Sequence, residues 1–324
     1  MTLFNYKKII SFLMIFAVAL ATGFSIGKIY IDQNALPSMT GSESDYREDE
    51  ETVKKLVLSS DGKSVMQFNG IELFQIAEYK LQNESVTPNF LKESIGVVTS
   101  TGVDVYMRSQ KVRVGDDYTY YKLSPSQSVL GIETPQVCMR VRNNSKTGKI
   151  DVVDSDQGKM TNRSSSETLD AEFPANGSAY TEESYAELFK TKPTTVMNYI
   201  VSNKTSEGCA SEVVDNGDGT YSFELNYKNK GGAIDAAFCY SYEILFSSGY
   251  SLPKWDSAKL KVTINSDFTF KEISYLEKYT MVSDKIPVLG KASVVNNFTD
   301  YFYYDIPTIS EKVLPDFKTF AEVE

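Results

Sequence analysis

The chain has 324 residues, enough for one large or two ordinary domains, and its 41% hydrophobic and 12% aromatic content argues against a disordered chain. A formal net charge of −10 argues against nucleic acid as a partner, because binding to phosphates needs clustered Lys and Arg. The complete absence of histidine excludes Ser-His-Asp and Cys-His nucleophile pairs and nearly all catalytic zinc sites. The sequence predicts no catalytic residues, no metal site and no cofactor.

The first 31 residues are predicted to be an export segment. Lys7 and Lys8 precede an uncharged stretch from Ile9 to Ile26, and Ala19-Leu20-Ala21 fits a cleavage site. The uncharged stretch is also long enough to cross a bilayer as one helix, so a cleaved signal peptide and a retained signal anchor both remain open. Either alternative places the rest of the chain outside the cytoplasm, and an anchor would attach it to the membrane. Residues 32–51 are acidic and Ser-rich and are predicted to form a linker.

The first half of the folded part is predicted to span residues 52–160. Apolar residues at helical spacing predict an amphipathic helix over residues 70–81. Strand patterns follow at residues 95–100, 103–114, 118–123 and 136–141. The apolar parity changes within the second of these strands, which predicts a bulge or a twist between Ser109 and Val112. Residues 161–177 are polar and predict a break between two halves.

The second half is predicted to span residues 178–306, with residues 307–324 as a short C-terminal tail. It contains a predicted strand at residues 196–201, a strand at residues 220–227 and a helix at residues 233–247. The segment from Asp215 to Gly219 has a calcium-loop appearance, but Gly217 and Gly219 stand where that motif needs side-chain oxygens. A tight turn is therefore predicted there.

Three consecutive strands, at residues 258–265, 268–281 and 292–304, predict an antiparallel meander with one apolar face. A parity change between Phe270 and Ile273 is predicted within the second strand. Glu272 and Glu277 are a conceivable carboxylate pair for glycoside hydrolysis. Their position favours the solvent-facing side of the sheet instead.

These elements predict an α+β fold in which helices pack on the concave face of a curved, mainly antiparallel β-sheet. The order of a helix followed by strands occurs twice, which leaves open a duplication into two similar halves. In an extracytoplasmic chain, Cys209 and Cys239 form the natural candidate disulfide, with two buried free thiols as the alternative. Cys138 is predicted to be a small buried apolar residue.

The second half resembles the bacterial lipoprotein carriers of the LolA/LppX-like type. The resemblance rests on an order of elements, namely residues 185–189, 196–201, 218–225, 260–267 and 272–281. It implies a curved antiparallel sheet that is closed by helices and encloses an apolar cavity for acyl chains.

The leading hypothesis is an exported, non-enzymatic envelope protein that binds a lipid or another apolar ligand in such a cavity. Ordinary core is the alternative role for each predicted wall residue: Phe223, Leu225, Val262, Ile264, Phe268, Phe270, Ile273 and Tyr275. A second hypothesis is a membrane-tethered surface module that binds other envelope proteins. A third is a histidine-free hydrolase, which would need two buried acids facing one cleft.

Overall fold

The computed structural model describes residues 46–100, 103–115, 117–124, 128–129, 132–133, 137–144, 149–154, 178–181, 183–184, 196–197, 199–209, 212–227, 254–282 and 291–312. The predicted export segment, polar break and helix at residues 233–247 lie outside these ranges, as does Cys239 of the candidate disulfide. None of the helices within these ranges has the length and apolar character needed to cross a membrane.

Three α-helices lie with both ends in the described part of the chain. Helix α1 spans Glu50–Ser59, and helix α2 spans Gly70–Gln82 after a short 3-10 turn at Val65–Gln67. A capping box starts α2, in which Asn69 accepts from the backbone of Glu72 and the Glu72 side chain accepts from the backbone of Asn69. The predicted helix at residues 70–81 is therefore confirmed. Helix α3 spans Ile306–Lys312.

The described strands are all paired antiparallel. Their bounds are β1 Asn89–Ser100, β2 Val103–Val114, β3 Asp117–Ser124, β4 Ser128–Val129, β5 Ile132–Glu133, β6 Val137–Asn144, β7 Lys149–Asp154, β8 Ser178–Tyr180, β9 Ser206–Cys209, β10 Val214–Asp215, β11 Thr220–Tyr227, β12 Lys254–Asn265, β13 Phe270–Val282 and β14 Lys291–Tyr303. Strands β4 and β5 form a separate pair.

The other strands form one 12-stranded sheet in the order β10-β11-β12-β13-β14-β1-β2-β3-β6-β7-β8, with β9 also paired to β11. The predicted meander is confirmed as β12, β13 and β14. Strand β14 then pairs with β1 along ten residue pairs, from Leu91↔Tyr303 to Ser100↔Val294. This pairing joins strands from both parts of the sequence into a single curved sheet. The fold is α+β, as predicted.

Helix α2 lies on one face of this sheet, which is called the inner face below. The main hydrophobic core forms between this helix and strands β11 to β14. Phe74 of α2 contacts Phe270 of β13 edge-on, with ring centroids 5.1 Å apart. A register shift opposite Lys271 separates Phe270 from Ile273 and puts both on the inner face, which confirms the predicted parity change.

Helix α3 covers part of the opposite, outer face. Its Ile309 is buried against Leu91 and Val112, and Gln110 donates to the Lys312 carbonyl at 2.9 Å. Of the two alternatives predicted between Ser109 and Val112, the bulge is wrong, because the β1–β2 ladder runs through this region without a register shift. Val112 and Val114 are apolar because they pack beneath or beside α3 on the outer face. The first residues of the predicted tail thus form a helix docked on the sheet.

The predicted strand at residues 196–201 is also wrong. None of the described residues in this segment pairs with a strand, although all are buried. Side chains bond to its backbone instead: Lys92 Nζ donates to the Val196 carbonyl at 3.2 Å, and Gln75 Nε2 donates to the Val201 carbonyl at 3.2 Å. Its apolar run therefore reflects burial and not membership of the sheet.

Candidate functional site

The eight predicted wall residues share the inner face of the sheet, on or beside β11, β12 and β13. Seven of them are buried, with exposed fractions between 0% and 5%: Phe223, Leu225, Val262, Ile264, Phe268, Phe270 and Ile273. All seven belong to the core beneath α2. Tyr275 alone among the eight is half-buried. The structure thus places them together as core, and their contact with a ligand stays a prediction.

Tyr275 begins a row of side chains that leads from this core onto β1. Its ring stacks on Phe298 of β14, with centroids 5.4 Å apart and planes 6° from parallel. Phe298 pairs in register with Gly96 of β1. A Cβ atom at Gly96 would lie 2.3 Å from Cγ of Phe298, so the ring occupies the space that a side chain would need. Gly96 therefore allows the aromatic row to lie flat across β1.

Next to this row, the inner face of β1 and β2 becomes polar and basic. Lys92 pairs directly with Lys111, and Ser94 pairs directly with Ser109. Residues two apart on a strand share a face, so the two pairs form a square of side chains on the inner face. Ser94, Ser109 and Lys111 are half-buried, whereas Lys92 is only 4% exposed.

The group of Lys92, Ser94, Ser109 and Lys111 is called the lysine–serine square below. Asp300 of β14 contacts two of its members. Its Oδ2 lies 2.9 Å from Lys92 Nζ, and its Oδ1 accepts a hydrogen bond from the Ser94 hydroxyl. Burial lowers the pKa of Lys111 to about 7, with repulsion from Lys92 as a second cause and the Asp300 carboxylate as a partial offset. Two lysines facing each other across a ladder would ordinarily repel, and a carboxylate beside one of them reduces that cost.

A second polar cluster lies further along β13 and β14, around Glu277. This carboxyl is 1% exposed and accepts a hydrogen bond from Asn296 Nδ2 at 2.8 Å. Burial raises the pKa of Glu277 to about 7, against the opposing effect of its hydrogen bonds from Asn296 and Tyr199. The Asn296 amide also lies 3.4 Å from the Tyr279 hydroxyl. The prediction that Glu277 faces solvent is wrong, because five residues separate it from half-exposed Glu272, and an odd separation places the two on opposite faces.

Comparisons with known proteins give this geometry no relative from which a function could be taken. No protein-family model matches the chain, and no curated protein matches it. Among solved structures, a DUF1329 family protein from Desulfovibrio piger aligns with 10% sequence identity, covering 73% of this chain and 92% of that chain. The TM-score of 0.20 is too low for this likeness to carry an argument on fold or function.

The two buried acids of the inner face do not form a hydrolytic pair. Glu277 pairs in register with Asn296, and Asp300 lies four residues further along β14. Four residues at strand spacing separate their backbone positions by about 13 Å, whereas the carboxyl groups of glycoside hydrolases lie roughly 5–9.5 Å apart. Both carboxylates are 1% exposed, so neither presents itself to a substrate. Within the described ranges, no group of His, Cys, Asp or Glu is arranged to hold a metal ion.

Sequence reasoning missed the lysine–serine square, although one signal for it was present. The residues Phe90, Lys92, Ser94, Gly96 and Val98 alternate with a second set on the same strand, and Phe90 and Val98 are fully buried. The two-residue period thus places Lys92 on a buried face. Its partners could not be found this way, because Lys111 and Asp300 are brought to it by strand register.

Proposed function

We propose that this protein is an exported, non-enzymatic binding protein that holds a lipid or another apolar ligand against the inner face of β1 and β2. One observation carries this proposal. The inner face of β11 to β14 is covered by α2 and by the buried segment at residues 196–201. The inner face of β1 and β2 keeps accessible surface at Ser94, Gly96, Ser109 and Lys111, between the buried residues Phe90, Lys92, Val98 and Arg113. A ligand would complete the cover of this second region as α2 completes the first.

The aromatic row supports an apolar ligand. Tyr275 is half-buried at the edge of the packed core, and the Phe298 ring lies over the bare backbone of Gly96. Phe298 itself is 7% exposed, and the Tyr199 ring packs edge-on against Tyr275 with centroids 5.1 Å apart. The surface that this row offers an apolar chain therefore belongs to Tyr275 and Gly96, which are half-buried. Of the eight predicted wall residues, Tyr275 is therefore the one that we place at the ligand. The other seven would support it from the core.

The N-terminal segment supports an extracytoplasmic location. A basic start followed by eighteen uncharged residues is typical of export signals and of signal anchors. If the segment is retained, the acidic linker would hold the folded part away from the bilayer, where it could receive a ligand from the membrane surface or from another envelope protein.

Titration of the full-length protein with an uncharged fluorescent fatty-acid methyl ester tests the proposal. The protein should be recovered in an amphipathic polymer, so that no detergent competes for the site. We expect saturable binding that Ser109→Trp reduces at least tenfold, because the indole would cover the accessible surface beside Ser94 and Lys111. Ile95→Trp is the matched control, since Ile95 is 44% exposed and its odd separation from Ser94 places it on the outer face. Absence of saturable binding, or equal loss in both variants, would contradict the proposal.

A further inference from the structure

A buried hydrogen-bond acceptor lies beside the aromatic row of the inner face. Asn296 of β14 is 2% exposed, and its Nδ2 donates to Glu277 Oε2 at 2.8 Å. Its Oδ1 is also buried and has no hydrogen-bond partner among the residues that the structure describes. A buried carbonyl oxygen without a donor is costly, and native proteins seldom leave one unpaired. The Asn296 side chain can therefore accept one more hydrogen bond.

Strand register puts this acceptor at one end of the surface proposed for the ligand. Asn296 pairs with Val98 of β1, two residues from the pair formed by Phe298 and Gly96. Tyr275 is the partner of Phe298 on β13. Two residues on one face of a strand are about 7 Å apart. The end of a chain that lies against Tyr275 and Gly96 can therefore reach Asn296.

The side chain of Tyr199 lies at this same end of the surface. Its ring packs edge-on against Tyr275, with centroids 5.1 Å apart, and its hydroxyl donates to Glu277. Tyr199 belongs to the segment at residues 196–201, none of whose described residues pairs with a strand. No ladder of backbone hydrogen bonds has to break in these described residues when the ring moves aside. A tyrosine side chain is itself an apolar group that ends in a hydroxyl, so its position shows which chemistry this end of the surface accommodates.

The groups at this end favour a neutral donor. An ionised Glu277 and the Asn296 Oδ1 both accept hydrogen bonds, and neither suits a carboxylate or a phosphate. Burial raises the pKa of Glu277 to about 7, against the effect of its hydrogen bonds from Asn296 and Tyr199. A charged group is thus disfavoured here, and an ammonium would lose its hydration on binding. A hydroxyl carries neither cost.

We propose that the apolar ligand ends in a neutral hydroxyl group, which moves the Tyr199 ring away from Tyr275 and donates to Asn296 Oδ1. This inference rests on the proposed function and adds the chemical class of the ligand, a long-chain alcohol or an ester of glycerol with free hydroxyls. The apolar chain runs from Asn296 past Gly96 towards Ser94. Ser94 pairs with the residue four positions beyond Asn296 on β14, a distance of about 13 Å along the strand.

Competition against the bound fluorescent methyl ester tests the head-group preference in the full-length protein. The competitors are dodecanol, dodecyl methyl ether and dodecylamine, which share one chain and differ in the group at its end. We expect dodecanol to displace the probe at concentrations at least about fivefold lower than the ether, the difference expected for one hydrogen bond to a buried acceptor. The amine should displace the probe no better than the alcohol.

Variants assign this preference to Asn296. Asn296→Leu should abolish the preference for the alcohol and leave the affinity for the ether unchanged, and retained ether binding shows that the variant is folded. Asn297→Leu is the matched control and should keep the preference, because this neighbouring asparagine is exposed on the outer face. Tyr199→Phe should raise the affinity for alcohol and ether alike by about twofold or more, since the ring then has no hydrogen bond to Glu277 to give up. This third variant tests the displacement of Tyr199 even if Asn296→Leu does not fold.

The outcomes separate this inference from the function on which it rests. Equal displacement by alcohol and ether, a preference that survives Asn296→Leu, or an amine that displaces the probe better than the alcohol would overturn the hydroxyl site and leave apolar binding intact. Unchanged affinities in Tyr199→Phe would overturn the displacement of its ring. Failure of the methyl ester itself to bind would overturn both the inference and the proposed function.

Discussion

Two regions of the inner face differ in what covers their side chains. Beneath α2, residues such as Phe223, Leu260 and Ile273 are 1% exposed or less, and the helix fills the space between them. On β1 and β2, the same periodicity places Ser94, Gly96 and Lys111 on that face, and these residues keep accessible surface. Strand periodicity alone therefore does not make a core; a packing partner of matching chemistry is also needed.

The border between the two regions is sharp. On β14, Phe298 and Asp300 are two residues apart on the same face, and one stacks on Tyr275 while the other binds Lys92. The polar groups at this border are nearly all paired, as buried charges must be if they are not to destabilise the fold. Residues at this border can therefore line a binding site while the core beneath α2 stays packed.

Removal of a core ring should have the largest effect. Phe270→Ala should lower the free energy of unfolding by about 3–5 kcal/mol, since the ring is fully buried and contacts both Phe74 and Phe302. Urea denaturation followed by circular dichroism measures the change.

The matching substitution on the inner face of β1 and β2 is Ser109→Ala. This half-buried serine should change the free energy of unfolding by less than about 0.5 kcal/mol. If both substitutions had similar costs, the inner face of β2 would be core like the rest, and the distinction between the two regions would fail.

The buried carboxyl of Glu277 should make stability depend on pH. Its pKa of about 7 lies above the ordinary value of 4.5, so the folded state holds more protons than the unfolded state between these limits. The free energy of unfolding should therefore fall as pH rises from 4.5 to 7, by up to about 3 kcal/mol. Glu277→Gln should remove this slope and raise stability at pH 7.

The range from pH 4.5 to 7 separates the effect of Glu277 on the free energy of unfolding from the effect of Lys111. The pKa of Lys111 is lowered from 10.5 to about 7, so its protonation differs between the folded and unfolded states mainly above pH 7. Glu224→Gln on exposed β11 surface is the control and should leave the slope unchanged. A slope that persists in Glu277→Gln would place its origin in another group.

Gly96→Ala should destabilise the protein by about 1–3 kcal/mol, because the new methyl group would overlap the Phe298 ring. The cost should fall in a Phe298→Leu background, since the smaller side chain can move aside. Denaturant midpoints of the four proteins in this double-mutant cycle measure the coupling. Additive effects would show that Phe298 is not what requires glycine at this position.

The sequence could predict the parts of the fold that follow from local periodicity. Helix α2, the meander and the turn at Asp215–Gly219 were found this way, and Gly217 and Gly219 do adopt positive φ. The β14–β1 pairing could not be predicted, because it joins residues about 200 positions apart through register alone. Apolar residues on both faces of β2 predict a bulge or a twist, because the pattern of β2 alone does not show that a helix packs on its outer face. The candidate site could not be predicted either, because strand register brings together its lysines and its aspartate from three different strands.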